Sequence, residues 1–165
     1  MGLAGIGLNQ LPEAIAELEQ LETLDLRRNG RVIDFPRSII RLQKVSHLLL
    51  DEVDAMDIWE MQELEAVSGI CVETSRSLGK VVELLRKSER LRMLGLALRT
   101  TIPSETDFVS FLNGVGKSKL QSLSIYCCLG SEAIPLVVDS WEKVTAQLAR
   151  KFEPRDLSLI QITTS

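Results

Sequence analysis

Residues 21–29, LETLDLRRN, set Leu21, Leu24, Leu26 and Asn29 in the pattern L-x-x-L-x-L-x-x-N, and the pattern returns. Residues 45–53, VSHLLLDEV, put Val45, Leu48, Leu50 and Val53 in the same slots 24 residues later. LRMLGLALR supplies Leu91, Leu94 and Leu96, and LQSLSIYCC supplies Leu120, Leu123, Ile125 and Cys128. A fixed period of this length marks a chain of stacked units, each too small to bury its own apolar face. Within a unit the alternation predicts a short strand whose leucines point into a core shared with both neighbours. Asn29, or a cysteine in its slot, is expected to satisfy backbone groups where the chain leaves the strand.

Between strands the chain must return along the other side. LPEAIAEL (11–18) fits such a segment, with Pro12 at a helix start and Ile15 and Leu18 facing inward, and PRSIIRL (36–42) repeats it 24 residues on. The expected fold is therefore α/β: a curved solenoid of roughly five or six repeats, with a parallel sheet on the concave face and helical or irregular convex segments. Regularity decays along the chain. Residues 51–72 offer only Leu64, Val67, Ile70 and Val72, starting 19 residues after Val45, and the next spacings are 27 and 29. SLGKVVELLRKSERL (77–91) predicts a helix, with Val81, Val82, Leu84 and Leu85 at helical spacing. Residues 1–130 are read as the repeats. The first is truncated, because Leu8, Leu11 and Pro12 take the slots of Val32, Phe35 and Pro36. Residues 131–165 are read as a degenerate terminal repeat, with a helix over 140–152 and a strand over 157–162. Both ends are expected to be cut from a longer protein.

The x positions of each strand face the concave side, a usual binding surface of solenoids. They comprise Glu22, Thr23, Asp25 and Arg27, then Ser46, His47, Leu49 and Asp51. Further along come Arg92 and Met93 with Gly95 and Ala97, then Gln121, Ser122, Ser124 and Tyr126. Partner recognition is expected at these positions.

Other chemistry finds little purchase. GVGKS at 114–118 carries the Gly-Lys-Ser end of a phosphate-binding loop, but Phe111 stands where that loop needs its first glycine. The context is also reversed. A phosphate loop follows a strand and opens a helix, whereas here Thr106 can cap a short helix bearing Phe108, Val109, Phe111 and Leu112, stopped by Gly114 and Gly116 before a strand. The acidic stretch DEVDAMDIWEMQELE (51–65) lacks calcium-loop spacing and reads as a solvated convex face, with Trp59 a core or cap residue. His47 is the only histidine, so a nucleophilic triad would need it. Strand alternation is expected to hold Ser46 and His47 apart. No catalytic residue, metal or cofactor is expected.

The bulk numbers agree with a binding module. A length of 165 residues suits one domain, and a net charge of −4 argues against nucleic acid. No apolar run reaches membrane-spanning length, and MGLAGIGLNQ lacks the features of a signal peptide. Ile6 also breaks the myristoylation pattern. The odd set Cys71, Cys127 and Cys128 speaks for a reducing compartment, so a cytoplasmic location is expected.

The stretches LPEAIAELEQLETLDLRRN, VIDFPRSIIRLQKVSHLLLD and IWEMQELEAVSGICV together resemble the leucine-rich repeat region of plant intracellular immune receptors. The likeness is to the coiled-coil, nucleotide-binding disease resistance proteins of the grass type. LQSLSIYC and DSWE (139–142) extend it. DAMDIWEM departs from it by lacking the family's Leu-Pro, and the sequence contains neither the coiled coil nor the nucleotide-binding module. The resemblance implies a non-enzymatic protein–protein recognition module in innate immunity, the effector-sensing and autoinhibitory part of a receptor. The implied partners are a pathogen effector or the nucleotide-binding module of the same receptor. The alternative is a free-standing leucine-rich repeat scaffold for intracellular signalling proteins.

Overall fold

Each alternating stretch becomes a strand, and successive strands lie side by side. The computed structural model describes residues 1–29, 35–53, 58–98, 110–111, 113–115, 118–127 and 160–164. The strands are β1 (Thr23–Asp25), β2 (His47–Val53), β3 (Ala66–Val72), β4 (Met93–Leu98), β5 (Ser122–Cys127) and β6 (Ile160–Thr164). They form one six-stranded sheet in chain order, every neighbour parallel. Residues 1–5 run along the outer edge of β1. Gly2 bridges Asp25, Leu3 N–H donates to the Asp25 carbonyl at 2.8 Å, and Asp25 N–H donates to the Met1 carbonyl at 3.0 Å.

The register puts like side chains in rows. Leu24, Leu48, Val67, Leu94 and Leu123 stand opposite one another and are buried. A second row runs through Ile70, Leu96 and Ile125. These rows meet the convex segments in a single core that also holds Ile39, Leu42, Ile58, Leu64 and Leu78. No one repeat could cover its leucines alone, so stacking and folding are the same event.

The convex segments vary in form with the length available. The 24-residue units return through 3₁₀ turns, Glu13–Glu17 after Pro12 and Arg37–Arg41 after Pro36. Ile15 is buried as expected, but Leu18 is 41% exposed, whereas its equivalent Leu42 is fully buried. Leu42 has described turns on both sides and Leu18 on one. The 27-residue unit has room for a true α-helix, α1 (Ser75–Lys87), which buries Leu78, Val81, Val82, Leu84 and Leu85. Thr74 and Ser77 cap each other reciprocally at its start, and it ends at Lys87, capped by Ser88, so it starts two residues earlier and stops four residues sooner than the expected 77–91. The capping pair escaped the sequence reading because serine, rather than glutamate or glutamine, fills the third helical position.

Several expectations shift. Residues 110–111 and 113–115 are helical, so Gly114 lies inside that helix rather than stopping it, and Phe111 and Val115 are buried. Gly114 sits 3.4 Å, measured from a Cβ built on it, from Val82 of α1, so helix packing favours a small residue there. The last strand is Ile160–Thr164, later than the 157–162 stretch that sequence suggested. Expectations for Val32, Thr106, Gly116, Cys128, the 140–152 helix and the Trp59 side chain lie outside the described residues.

Asn29 performs the task its slot predicts. Its buried amide Nδ2 donates to the carbonyls of Leu3 (2.6 Å) and Leu26 (2.9 Å), while Oδ1 accepts from Ile6 N–H (3.0 Å) and Leu8 N–H (3.2 Å). One side chain thus satisfies four backbone groups on two adjacent repeats. Val53, in the equivalent slot of the next repeat, cannot, and there the register slips: β2 and β3 shift between Leu49 and Val53, and β3 and β4 between Val67 and Ile70. Gly69 absorbs the slip at φ +75°, and a Cβ on it would collide with the Leu50 carbonyl. The Ser68 hydroxyl patches the gap, accepting from Leu50 N–H at 3.3 Å.

Two outcomes follow for urea denaturation of the whole chain. Asn29→Ala is expected to lower the unfolding free energy by about 3 kcal/mol, because an unsatisfied buried polar group costs roughly 1–3 kcal/mol. Gly69→Ala is expected to cost at least about 2 kcal/mol, from left-handed backbone strain plus the carbonyl clash.

Candidate functional site

Since the leucines of each strand point inward, pleating sends the residues between them to the open face of the sheet. The register orders these into rows. One row reads Thr23, His47, Ala66, Met93, Ser122. A second contains Asp25, Leu49 and Ser68, continued by Gly95 and Ser124 beyond the register slip. A third places Cys71, Ala97 and Tyr126 opposite one another. The register thus places Thr23, Asp25, His47, Leu49, Met93, Gly95, Ala97, Ser122, Ser124 and Tyr126, of the candidates read from sequence, in these rows.

Their exposures differ. Glu22, Arg27, Asp51, Met93 and Gln121 are exposed, while Thr23, Asp25, Ser46, His47, Leu49, Arg92, Ser122 and Ser124 are half-buried. Gly95 and Ala97 are buried, and the Tyr126 side chain lies outside the described residues. Sequence reasoning missed Glu65, Ala66 and Ser68, because the unit around Leu64 broke the repeat pattern. Counting back from Val67 to the x slots, as for Leu24 and Leu48, would have found Glu65 and Ala66.

Charge on this face is organised locally. Asp25 Oδ1 accepts from Arg27 Nε at 2.9 Å and Oδ2 from Arg27 Nη2 at 2.7 Å, a forked pair across one turn. The hydrogen bond from Arg27 holds the Asp25 carboxyl below its ordinary range, and the same contact raises the guanidinium further. Asp51 reaches back one repeat, its Oδ2 accepting from Arg28 N–H at 2.5 Å. Arg28 has φ +63°, so this bond supports a backbone conformation that side chains disfavour.

Ser46 and His47 are closer than alternation predicted: Ser46 Oγ lies 2.8 Å from His47 Nδ1. The reason is that β2 begins at His47, so Ser46 precedes the pleat and is free to turn toward its neighbour. Ser46 Oγ also lies 3.3 Å from the Glu22 carbonyl, to which it donates, and no carboxylate among the described residues bonds the imidazole to orient it. No group of three or more His, Cys, Asp or Glu side chains suited to a metal occurs among the described residues.

On the convex side, the 3₁₀ turns border an open groove of about 1090 Å³, lined among others by Glu13, Glu17, Arg41, Lys44, Glu60 and Glu63. Three of its charged residues, Glu13, Lys44 and Glu63, stitch adjacent units together. Ser38 donates to Glu13, Lys44 Nζ to Gln20 Oε1 at 2.5 Å, and Arg90 pairs with Glu63. Of the 51–65 acidic stretch, Glu60 and Glu63 line this groove. Asp51 stands on β2 and bonds to the turn of the previous repeat.

The face is thus a laterally continuous display of mixed polar, charged and apolar side chains. It is suited to contact with another protein. No helix among the described residues is long and apolar enough to cross a membrane. No curated protein and no solved structure matches the chain significantly. A family model for the leucine-rich repeat region matches residues 1–163, in accord with the repeat pattern, the parallel sheet and the asparagine at its turn. The chain belongs to the leucine-rich repeat family, whose regions serve in general as protein–protein interaction modules without catalysis.

Proposed function

We propose that this chain is the effector-sensing and autoinhibitory repeat portion of a plant disease resistance receptor, acting in the cytoplasm through its open sheet face. What supports the reading is the outward row arrangement, in which Asp25, His47, Leu49 and Met93 stand on paired strands and Arg27 is bonded to Asp25. The resemblance of LPEAIAELEQLETLDLRRN and the segments after it to plant immune receptors supplies the biological setting. The mechanism is binding without chemistry. The face holds a nucleotide-binding module in its resting state, or engages a pathogen effector. Either partner shifts the receptor between two states only through its differential affinity for them.

Two measurements test this. The full transcript upstream of Met1 is expected to encode an in-frame nucleotide-binding module, and an in-frame stop codon there would remove the switching role. Calorimetric titration with that module should then show binding weakened at least tenfold by Asp25→Lys, Arg27→Glu and His47→Glu together. Unchanged affinity would rule out the sheet face as the contact.

A further inference from the structure

The row Thr23, His47, Ala66, Met93, Ser122 alternates in size as well as in strand. Ala66 is 5% exposed, while Met93 beside it is 53% exposed. Ala66 therefore floors a notch with the His47 imidazole on one side and the Met93 thioether on the other. Neighbouring strands lie about 4.8 Å apart, so the two walls rise from backbones roughly 10 Å apart, which leaves room for one inserted side chain. Leu49 and Ser68, opposite one another in the next row and both half-buried, close the notch along the strands.

The lining is apolar and adaptable. Among the side chains the structure describes, Met93 is the one large hydrophobic that a strand leaves exposed; Met1, Ile6 and Leu18 are the others, and all three lie off the strands. A flexible, polarisable thioether beside a methyl floor receives apolar side chains of varied shape.

The remaining rim is acidic. Glu65, immediately before Ala66, is exposed and forms no ion pair among the described residues. Its cationic neighbour across the sheet, Arg92, is turned away, with Nη1 on the carbonyls of Glu89 (3.0 Å) and Leu91 (3.3 Å). Glu22 is a second exposed carboxylate two strands from Glu65, and the whole chain carries a net charge of −4. A cation approaching the notch from this side meets an uncompensated carboxylate in a favourable overall field.

We propose that the notch over Ala66 takes one apolar side chain from a partner protein segment bearing lysine or arginine beside that residue, the cation pairing with Glu65. The inference rests on the sheet-face reading above and names what that face selects. Arg27 and Asp25 neutralise each other, so they contribute register rather than charge preference.

The test pans a phage-displayed random peptide library against the immobilised full chain. Enriched peptides are then titrated, as synthetic peptides, against the chain and its Met93→Ser, Glu65→Lys and Asp25→Lys variants. Met93 and Glu65 are exposed, so circular dichroism should show both variants folded. Enrichment of an apolar residue adjacent to Lys or Arg is expected. Affinity should fall at least tenfold with Met93→Ser and with Glu65→Lys, and a peptide whose cation is replaced by glutamate should regain binding to Glu65→Lys. Peptides that respond to Asp25→Lys but to neither notch variant would overturn the notch and leave the sheet face standing. Peptides indifferent to all three would overturn both, and failure to enrich any peptide would overturn the notch. Concentration-dependent self-association abolished by Met93→Ser would make a second copy the occupant and reject this partner.

Discussion

The four junctions from β1–β2 to β4–β5 are sewn at the same point by the same hydrogen bonds. The Glu22 carbonyl accepts from both Ser46 N–H (2.9 Å) and His47 N–H (3.1 Å) of the next unit. The Ser46 carbonyl accepts from Glu65 and Ala66, that of Glu65 from Arg92 and Met93, and that of Arg92 from Gln121 and Ser122, at 2.7 to 3.0 Å. These bonds fix each strand's start against the last, and the leucine rows and outward rows follow from that register. Unit lengths of 24, 19, 27 and 29 residues would otherwise scatter the side chains. The entry stitch keeps them aligned because it constrains only where a strand begins.

The differences in length are taken up elsewhere. On the convex side the linking segment ranges from the three-residue 3₁₀ turn Ile58–Glu60 to the thirteen-residue helix α1. Within the sheet, the shortest unit brings the register slip at Gly69, where a glycine with φ +75° lets the backbone of β3 pass close to Leu50. Where the asparagine is present, at Asn29, the turn out of the strand is satisfied internally and β1 pairs with β2 without a slip. Where valine replaces it, at Val53, the hydroxyl of Ser68 bonds to Leu50 across the slip. The chain thus meets the same backbone accounting with different side chains.

Much of this was legible in the sequence, and for a physical reason. A repeat pattern encodes inward and outward positions together, so Leu24, Leu48, Leu94 and Leu123 gave the core and the residues between them gave the open face. What stayed illegible depended on geometry between repeats. The burial difference between Leu18 and Leu42 reflects how many neighbours each has, which identical local sequence cannot tell. The Ser46–His47 contact depended on where β2 begins, and the notch over Ala66 on which residues the sheet places side by side. Ala66 is unremarkable in sequence; between His47 and Met93 it becomes a feature.

The functional reading needs those residues held in common register, so the continuity of the sheet is the claim to test. Native-state hydrogen exchange on the full chain reads it directly at the amides of His47, Ala66, Met93 and Ser122, one at each stitched junction. Amides that open only with the fold share its free energy and its denaturant dependence. The account predicts that all four exchange together, at a common opening free energy. Protection of His47 and Ala66 with rapid, denaturant-independent exchange at Met93 and Ser122 would divide the sheet between β3 and β4 and contradict it.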